Sequence, residues 1–217
     1  MASRSSRVVK RIGSTALIRN GSIMVLNAIA HASILPALGY SLAMKPAPPP
    51  LQQIERDAWR FINSVSVITV YVDGIVNAMS AEWCAPVSLK PPLIGVFVGE
   101  ERYTRGLIER AETFGVSLLA DDQAWIARVC GRHSGREVNK IEAFQIPTEP
   151  AVYIEAPLIA GASAQFECRV LDRRVYGSHM LVVGEPLRAV GNPHKSTLAY
   201  HRGHFYRLGE EVFPERQ

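Results

Sequence analysis

The sequence predicts a mainly β protein, a β-barrel with a few short peripheral α-helices. Three observations carry this expectation. Runs dense in β-branched residues, such as residues 65–72 and 93–98, recur along the chain. An Asp73-Gly74 pair, a strong hairpin signal, separates two of them. About seven such strands are interrupted by only two or three short helical stretches, without the strand–helix alternation that builds a doubly wound sheet.

Residues 1–50 stand apart as a leader or extension. Arg4, Arg7, Lys10, Arg11 and Arg19 make a basic, serine-rich head, and the run from Asn20 to Met44 carries no charge. Three readings stay open: a segment outside the working protein, with Met44 as initiator; an export signal leaving through Ala28-Ile29-Ala30 or Ala30-His31-Ala32; or an anchor. Against the anchor, Asn27, His31, Ser33, Pro36 and Gly39 break up the about 20 apolar residues that a span needs. The four prolines of residues 45–50 form a stiff spacer, and a single domain over 51–217 follows it.

In that domain, Leu51, Ile54, Ala58, Phe61 and Ile62 recur at helical spacing, which predicts an amphipathic helix covering one end of the barrel. Strands over 64–72 and from Ile75 onward flank the Asp73-Gly74 turn, and another spans 93–98. Thr104 is expected to cap a short helix over 105–111, and residues 121–129 to form a second capped helix after a strand at 114–119. Residues 131–140 read as a polar, glycine-rich loop able to hold an anion. Strands over 162–171 and 179–187 and a closing hairpin within 199–209 complete the barrel.

The net charge of +4 invites a nucleic-acid reading until the charges are located. Residues 1–43 hold five basic and no acidic residues, which leaves 19 basic against 20 acidic over 44–217. The domain therefore shows no global footprint for nucleic acid, and a membrane role is not expected of it. Cys84, Cys130 and Cys168 are odd in number and form no C-x-x-C pair, which fits a reducing, cytoplasmic compartment, with an export signal in residues 1–43 left open. His201 and His204 lack a third ligand at metal spacing, so no metal site is expected.

One stretch resists a purely structural account. Asn77, Ala78, Met79, Ser80, Ala81, Glu82, Trp83, Cys84, Ala85, Pro86, Val87 and Ser88 form an insert of small and hydroxyl-bearing residues with one large aromatic. Small residues let a ligand approach the backbone, amides and hydroxyls supply hydrogen bonds, and Trp83 supplies a flat apolar surface. The bland readings are that Ser80 and Ser88 satisfy strand ends, Trp83 is core, His179 is a hydrogen-bonded core histidine, and Arg102, Arg136 and Lys140 are solvated charges. No glycine-rich Rossmann fingerprint or P-loop competes for a nucleotide.

From about Ile62 to about Leu208 the sequence resembles the flavin reductase-like proteins with an FMN-binding split barrel, which include flavoredoxins and the reductase components of two-component monooxygenases. The likeness is carried by Asn77-Ala-Met-Ser-Ala-x-Trp83, Pro86-Val-Ser88 leading to Pro91-Pro92-Leu93, Arg102-Tyr-Thr104, Ser134-Gly-Arg136 with Lys140, and His179 before Val183-Gly184-Glu185. Tyr200-His201-Arg202-Gly203 resembles the family's carboxy-terminal segment near the flavin. The resemblance implies a homodimer that binds FMN and takes a hydride from NADH or NADPH, passing electrons to a redox partner protein or free flavin.

It implies cofactor contacts from Asn77, Ala78, Met79, Ser80, Ala81, Glu82, Trp83, Cys84, Val87 and Ser88. Phosphate ligands are expected among Arg102, Thr104, Arg136 and Lys140, with Tyr103 and Ser134 beside them. His179 is the candidate catalytic residue, orienting the nicotinamide or tuning the ring. Two alternatives stay open: an electron carrier with tightly bound FMN and little NAD(P)H activity, and a barrel that binds another ligand, to which the carboxylate of Glu82 points.

Overall fold

In a computed structural model of the chain, the described residues are 8–11, 14–19, 22–26, 58 and 60–210. The chain divides into two units, residues 1–55 and 56–217. In the first, β1 (Val8–Arg11), β2 (Ser14–Arg19) and β3 (Ser22–Leu26) pair as an antiparallel meander. No strand is expected there from the sequence. Most of the amphipathic helix expected over 51–62 lies outside the described residues, and residues 60–62 carry no helix.

The second unit is built on a seven-stranded antiparallel sheet. Its strands are β5 (Ser66–Val72), β6 (Ile75–Ala81), β7 (Cys84–Leu89), β8 (Pro92–Gly99), β9 (Thr113–Leu118), β12 (Ala164–Tyr176) and β13 (His179–Gly191), in the order β6-β5-β9-β12-β13-β8-β7. Between β9 and β12 lie β10 (Thr148–Glu149) and β11 (Leu158–Ile159), a two-stranded ladder. Asp73 and Gly74 turn the β5–β6 hairpin at φ +52° and +80°, as the sequence predicts.

The sheet order explains the barrel. β6 and β7 sit at opposite edges of the sheet, yet only Glu82 and Trp83 separate them in the chain. The three Cα–Cα steps from Ala81 to Cys84 span at most about 11 Å. The sheet must therefore curl until its edges meet, and because no ladder joins β6 to β7 the barrel stays split along that seam. The long hairpin supplies much of the curl: β12 pairs β9 through Ala164–Arg169, whereas β13 pairs β8 through His179–Gly184, with register shifts at Glu167/Cys168 and Val170/Asp172.

Ile68, Val70, Val96, Val98, Phe114, Val116, Met180 and Val182 fill the interior. A Cβ on Gly184 would stand 2.5 Å from the Phe114 ring, so this aromatic fits only against a glycine. A second apolar cluster, on the outer face, joins Val65, Val67 and Ala78 to Ile126, Ala127 and Cys130 of a helix. Strand β5 is thus covered on both faces, which explains why its residues 66–70 are all buried, Ser66 and Thr69 included.

The helices are α1 (Tyr103–Ile108), α2 (Ala124–Arg132) and α3 (Lys140–Ala143). Two sequence expectations need correction. Thr104 does not cap α1: Arg102 holds that position, and the Thr104 hydroxyl is turned to Asn77 instead. Helix α2 starts three residues later than the acidic pair Asp121-Asp122 suggests, because Gln123 closes the turn by accepting from the Ala120 N–H at 3.1 Å. A small sheet of β4 (Asn63–Ser64), β14 (Ala199–His201) and β15 (His204–Tyr206) completes the unit.

Candidate flavin site

The stretch expected as an insert is two strands and a link. Asn77 to Ala81 belong to β6, Glu82 and Trp83 form the link, and Cys84 to Ser88 belong to β7. Because the link crosses the seam, its side chains face the gap between the sheet edges. A cleft of about 710 Å³ opens there, walled by Met79, Ser80, Ala81, Glu82, Trp83 and Phe97 on the strands and by Arg128 and Arg132 on α2. Arg102 and His179 also reach it.

Met79, Arg102, Gly131 and Arg132 are shared with a second, smaller hollow of about 180 Å³ under α1. Tyr103, Thr104, Ser134, Arg136 and Lys140 line this hollow, with Ala78 at its floor. The structure thus brings most of the residues singled out from the sequence together in two connected groups. Four others line neither space: Asn77 is buried behind the hollow, bonded to Thr104 and Lys140, whereas Cys84, Val87 and Ser88 lie elsewhere, since β7 turns away beyond the link to pair with β8. Cys84 is a buried thiol, pushed up to about 11 by burial.

The hollow has a connected polar floor. The Asn77 amide donates to the Thr104 hydroxyl at 2.8 Å and accepts from the Lys140 ammonium at 3.0 Å. Lys140 is only 3% exposed, and no carboxylate pairs with it among the described residues. Burial lowers its pKa below the ordinary lysine value, the direction expected when a charge loses water without gaining an anion. Gly135 keeps the floor open: a Cβ there would fall 2.1 Å from the Asn77 side-chain oxygen and 2.6 Å from the Tyr103 ring.

Arg136 is held at the rim. Its guanidinium donates to the Glu101 carbonyl at 3.3 Å and lies 5.6 Å from the Tyr103 ring centroid, while its N–H donates to the Ser134 hydroxyl at 3.2 Å. Anion-binding chemistry is therefore concentrated in one small, preorganised space. A buried cation lacking an anion costs free energy that a phosphate would offset, so the residues present fit a flavin's phosphate.

The cleft has a different character. Trp83 tilts against His179 with ring centroids 4.7 Å apart and meets Phe97 edge-on at 6.0 Å. His179, the first residue of β13, exchanges a 2.9 Å hydrogen bond through Nδ1 with the Ser178 hydroxyl. Trp83 is therefore a wall of the cleft, with His179 stacked upon it. Glu82 sits at the rim, and partial desolvation holds its carboxyl above the usual carboxylate range.

Sequence reasoning missed Arg128 and Arg132. Ending the helix at Val129 left Arg132 in a loop, although Arg128 and Arg132 lie four apart, opposite the buried Ile126, Ala127 and Cys130. It also missed Phe97 and Phe205, which reach the cleft from two different sheets, a placement that follows from strand pairing across distant parts of the chain.

Comparison with known proteins identifies the family and the fold. Residues 59–209 match the model of the flavin reductase like domain. A curated NADH-dependent FAD reductase of Streptomyces globisporus is 32% identical over 165 residues, covering 74% of this chain and 87% of that protein. Among solved structures, an FMN-binding protein from Thermus thermophilus superposes with a TM-score of 0.65 at 28% identity, covering 81% of this chain and 99% of that one. BorF, the flavin reductase component of a bacterial two-component tryptophan halogenase, gives 0.62 at 34%, covering 70% and 93%. The chain spans 63% of the length of curated relatives from Archaeoglobus fulgidus and Pyrococcus abyssi. With its matched domain, split seam and paired cavities, this chain belongs to the flavin reductase-like family.

Proposed function

We propose that this protein is an NAD(P)H-dependent flavin reductase, which moves a hydride from a nicotinamide to a flavin seated between the hollow and the seam. One observation carries the reading: the buried, carboxylate-free ammonium of Lys140 ends in a hollow continuous with an aromatic-walled cleft. FMN has this layout, a phosphate at one end and a flat ring at the other. When bound, the flavin supplies the hydride acceptor.

The chain's own residues bind and orient. Lys140 and Thr104, tied through Asn77, hold the phosphate with Arg136 and Arg102. Ser80 and the main chain entering the link serve the polar edges of the ring. Trp83 and His179 form a wall that excludes water from one side, while the open side admits the nicotinamide. No side-chain acid, base or nucleophile is needed for hydride transfer itself, so the role given to His179 is orientation.

The same proposal includes a homodimer and transfer of reducing equivalents to a partner protein or free flavin. Relatives named as reductase components support the partner. The edge strand β7 supports a protein contact, because among the described residues it pairs only with β8, and Val87 is 50% and Leu89 81% exposed. Three buried thiols support a reducing, cytoplasmic setting.

Anaerobic mixing of FMN-loaded protein with NADH or NADPH tests the activity. Bleaching of the visible flavin band is expected. A protein that neither takes up FMN nor speeds NAD(P)H oxidation with added flavin contradicts it, and a yellow protein reduced only by another protein would make it a carrier.

A further inference from the structure

We propose that Arg128, with Arg132 beside it, takes the 2′-phosphate of the nicotinamide dinucleotide, so that the protein selects NADPH over NADH. The inference rests on the flavin reductase reading and names the co-substrate of that site. It starts from a cation that the flavin's phosphate does not use. Lys140, Arg102 and Arg136 line the hollow that fits this phosphate, and Arg132 borders hollow and cleft alike, but Arg128 lines the cleft alone.

Arg128 and Arg132 stand on the exposed side of α2, four positions and about 6 Å apart along its axis. Neither forms an ion pair among the described residues. Helix α2 carries no acid of its own, and the two acids that precede it are engaged elsewhere, Asp121 by Arg207 at 3.0 Å and Asp122 by Lys195. Glu82 is the one carboxylate among the residues lining the cleft, and it belongs to the link at the seam, not to the helix.

The chemistry of the two nucleotides picks out the phosphate. NADH and NADPH share the nicotinamide and the pyrophosphate and differ only in the phosphomonoester on the adenosine ribose. That group carries close to two negative charges at neutral pH, more than either phosphate of the pyrophosphate, and two adjacent guanidinium groups match it in charge and in bidentate geometry. A site that prefers NADH sets a carboxylate against the ribose hydroxyls, where it accepts hydrogen bonds and repels a phosphate. On α2 the residues at the cleft are arginines, and no carboxylate stands among them. A nicotinamide at the open side leaves the rest of the dinucleotide along the walls of the cleft, and α2 is one of those walls.

Steady-state kinetics of the full chain with saturating FMN, comparing NADPH with NADH in wild type, Arg128→Gln and Arg128→Lys, decide the matter, with 2′,5′-ADP and 5′-AMP as competing ligands. Wild type is expected to favour NADPH in kcat/KM by about tenfold or more, and to be inhibited more strongly by 2′,5′-ADP than by 5′-AMP. Arg128→Gln is expected to lower the NADPH/NADH ratio roughly tenfold, the scale of one charge-assisted contact, and to remove the advantage of 2′,5′-ADP. Arg128→Lys, which keeps the charge and loses the planar fork, is expected to fall between the two. Wild type that favours NADH overturns the inference alone, as does a ratio that Arg128→Gln leaves unmoved, whether both nucleotides weaken together or neither does. A protein that oxidises neither nucleotide with added flavin overturns the flavin reductase reading, and this inference with it.

Discussion

The hollow under α1 and the cleft at the barrel seam share Met79, Arg102, Gly131 and Arg132, but they use their polar groups in opposite ways. In the hollow, Asn77, Thr104 and Lys140 are buried and bonded to one another, and a glycine keeps their space clear. In the cleft, Arg128 and Glu82 stand exposed, Arg128 and Arg132 have no ion-pair partner among the described residues, and the walls are aromatic. Groups already fixed by their neighbours lose little freedom when a ligand arrives, so the hollow suits the part of a ligand that stays put. Loosely held groups around an open space suit a substrate that must enter and leave.

If the hollow anchors and the cleft exchanges, damage to the floor should cost affinity, and damage to the cleft should cost turnover. The largest effect is expected from Gly135→Ala, whose Cβ would displace Asn77 and with it both hydrogen bonds of the floor. FMN affinity should fall about a hundredfold, read by fluorescence titration, because two buried contacts to a charged ligand's site are lost together. Thr104→Val removes one partner only, and a loss of about tenfold is expected. An unchanged affinity in both would remove the hollow from the site.

His179→Ala probes the other region. Hydride transfer, followed by stopped flow, should slow roughly tenfold through poorer orientation, while FMN affinity stays put. A variant that instead loses FMN would make His179 part of the anchor and blur the comparison.

The smallest effect is expected from Glu82→Gln. The folded protein holds the Glu82 proton more tightly than an unfolded chain whose value is 4.5, because burial raises the folded value. The stabilisation is therefore present below the ordinary carboxylate range and lost as pH rises through the raised folded value. The denaturation midpoint of wild type should drop relative to Glu82→Gln over that rise, and by little, since the side chain is largely in water. Midpoints that run parallel across pH would show that the seam does not desolvate this carboxyl.

How far these two regions could be read from the sequence differs as well. Strands β5, β8, β9 and β13 were legible because β-branched runs bounded by turn residues leave few alternatives, and Asp73-Gly74 sets its turn through local backbone preference alone. The residues of the hollow were legible through their resemblance to a family. Their bonding was not: Thr104 reads as a helix cap until tertiary structure brings Asn77, 27 positions away, to its hydroxyl.

The cleft was harder still. Its existence follows from β6 and β7 being opposite edges of one sheet, a fact of strand order that no local pattern encodes. For the same reason Cys84, Val87 and Ser88 could not be separated from Ser80 and Trp83, although only the latter reach the cleft. The basic face of α2 had a visible signal, Arg128 and Arg132 four apart, and was lost to a helix end set three residues short.

Lys140 offers the most direct test of the anchoring claim. FMN and riboflavin differ only by the phosphate, so their dissociation constants should be measured for wild type and Lys140→Met. The lysine variant should bind FMN about 10- to 100-fold more weakly and riboflavin as well as wild type does. In wild type, FMN affinity should also begin to fall below pH 10.5, because burial lowers the pKa at which Lys140 gives up its charge. Equal losses for both flavins, or none for either, would contradict a phosphate held on that ammonium.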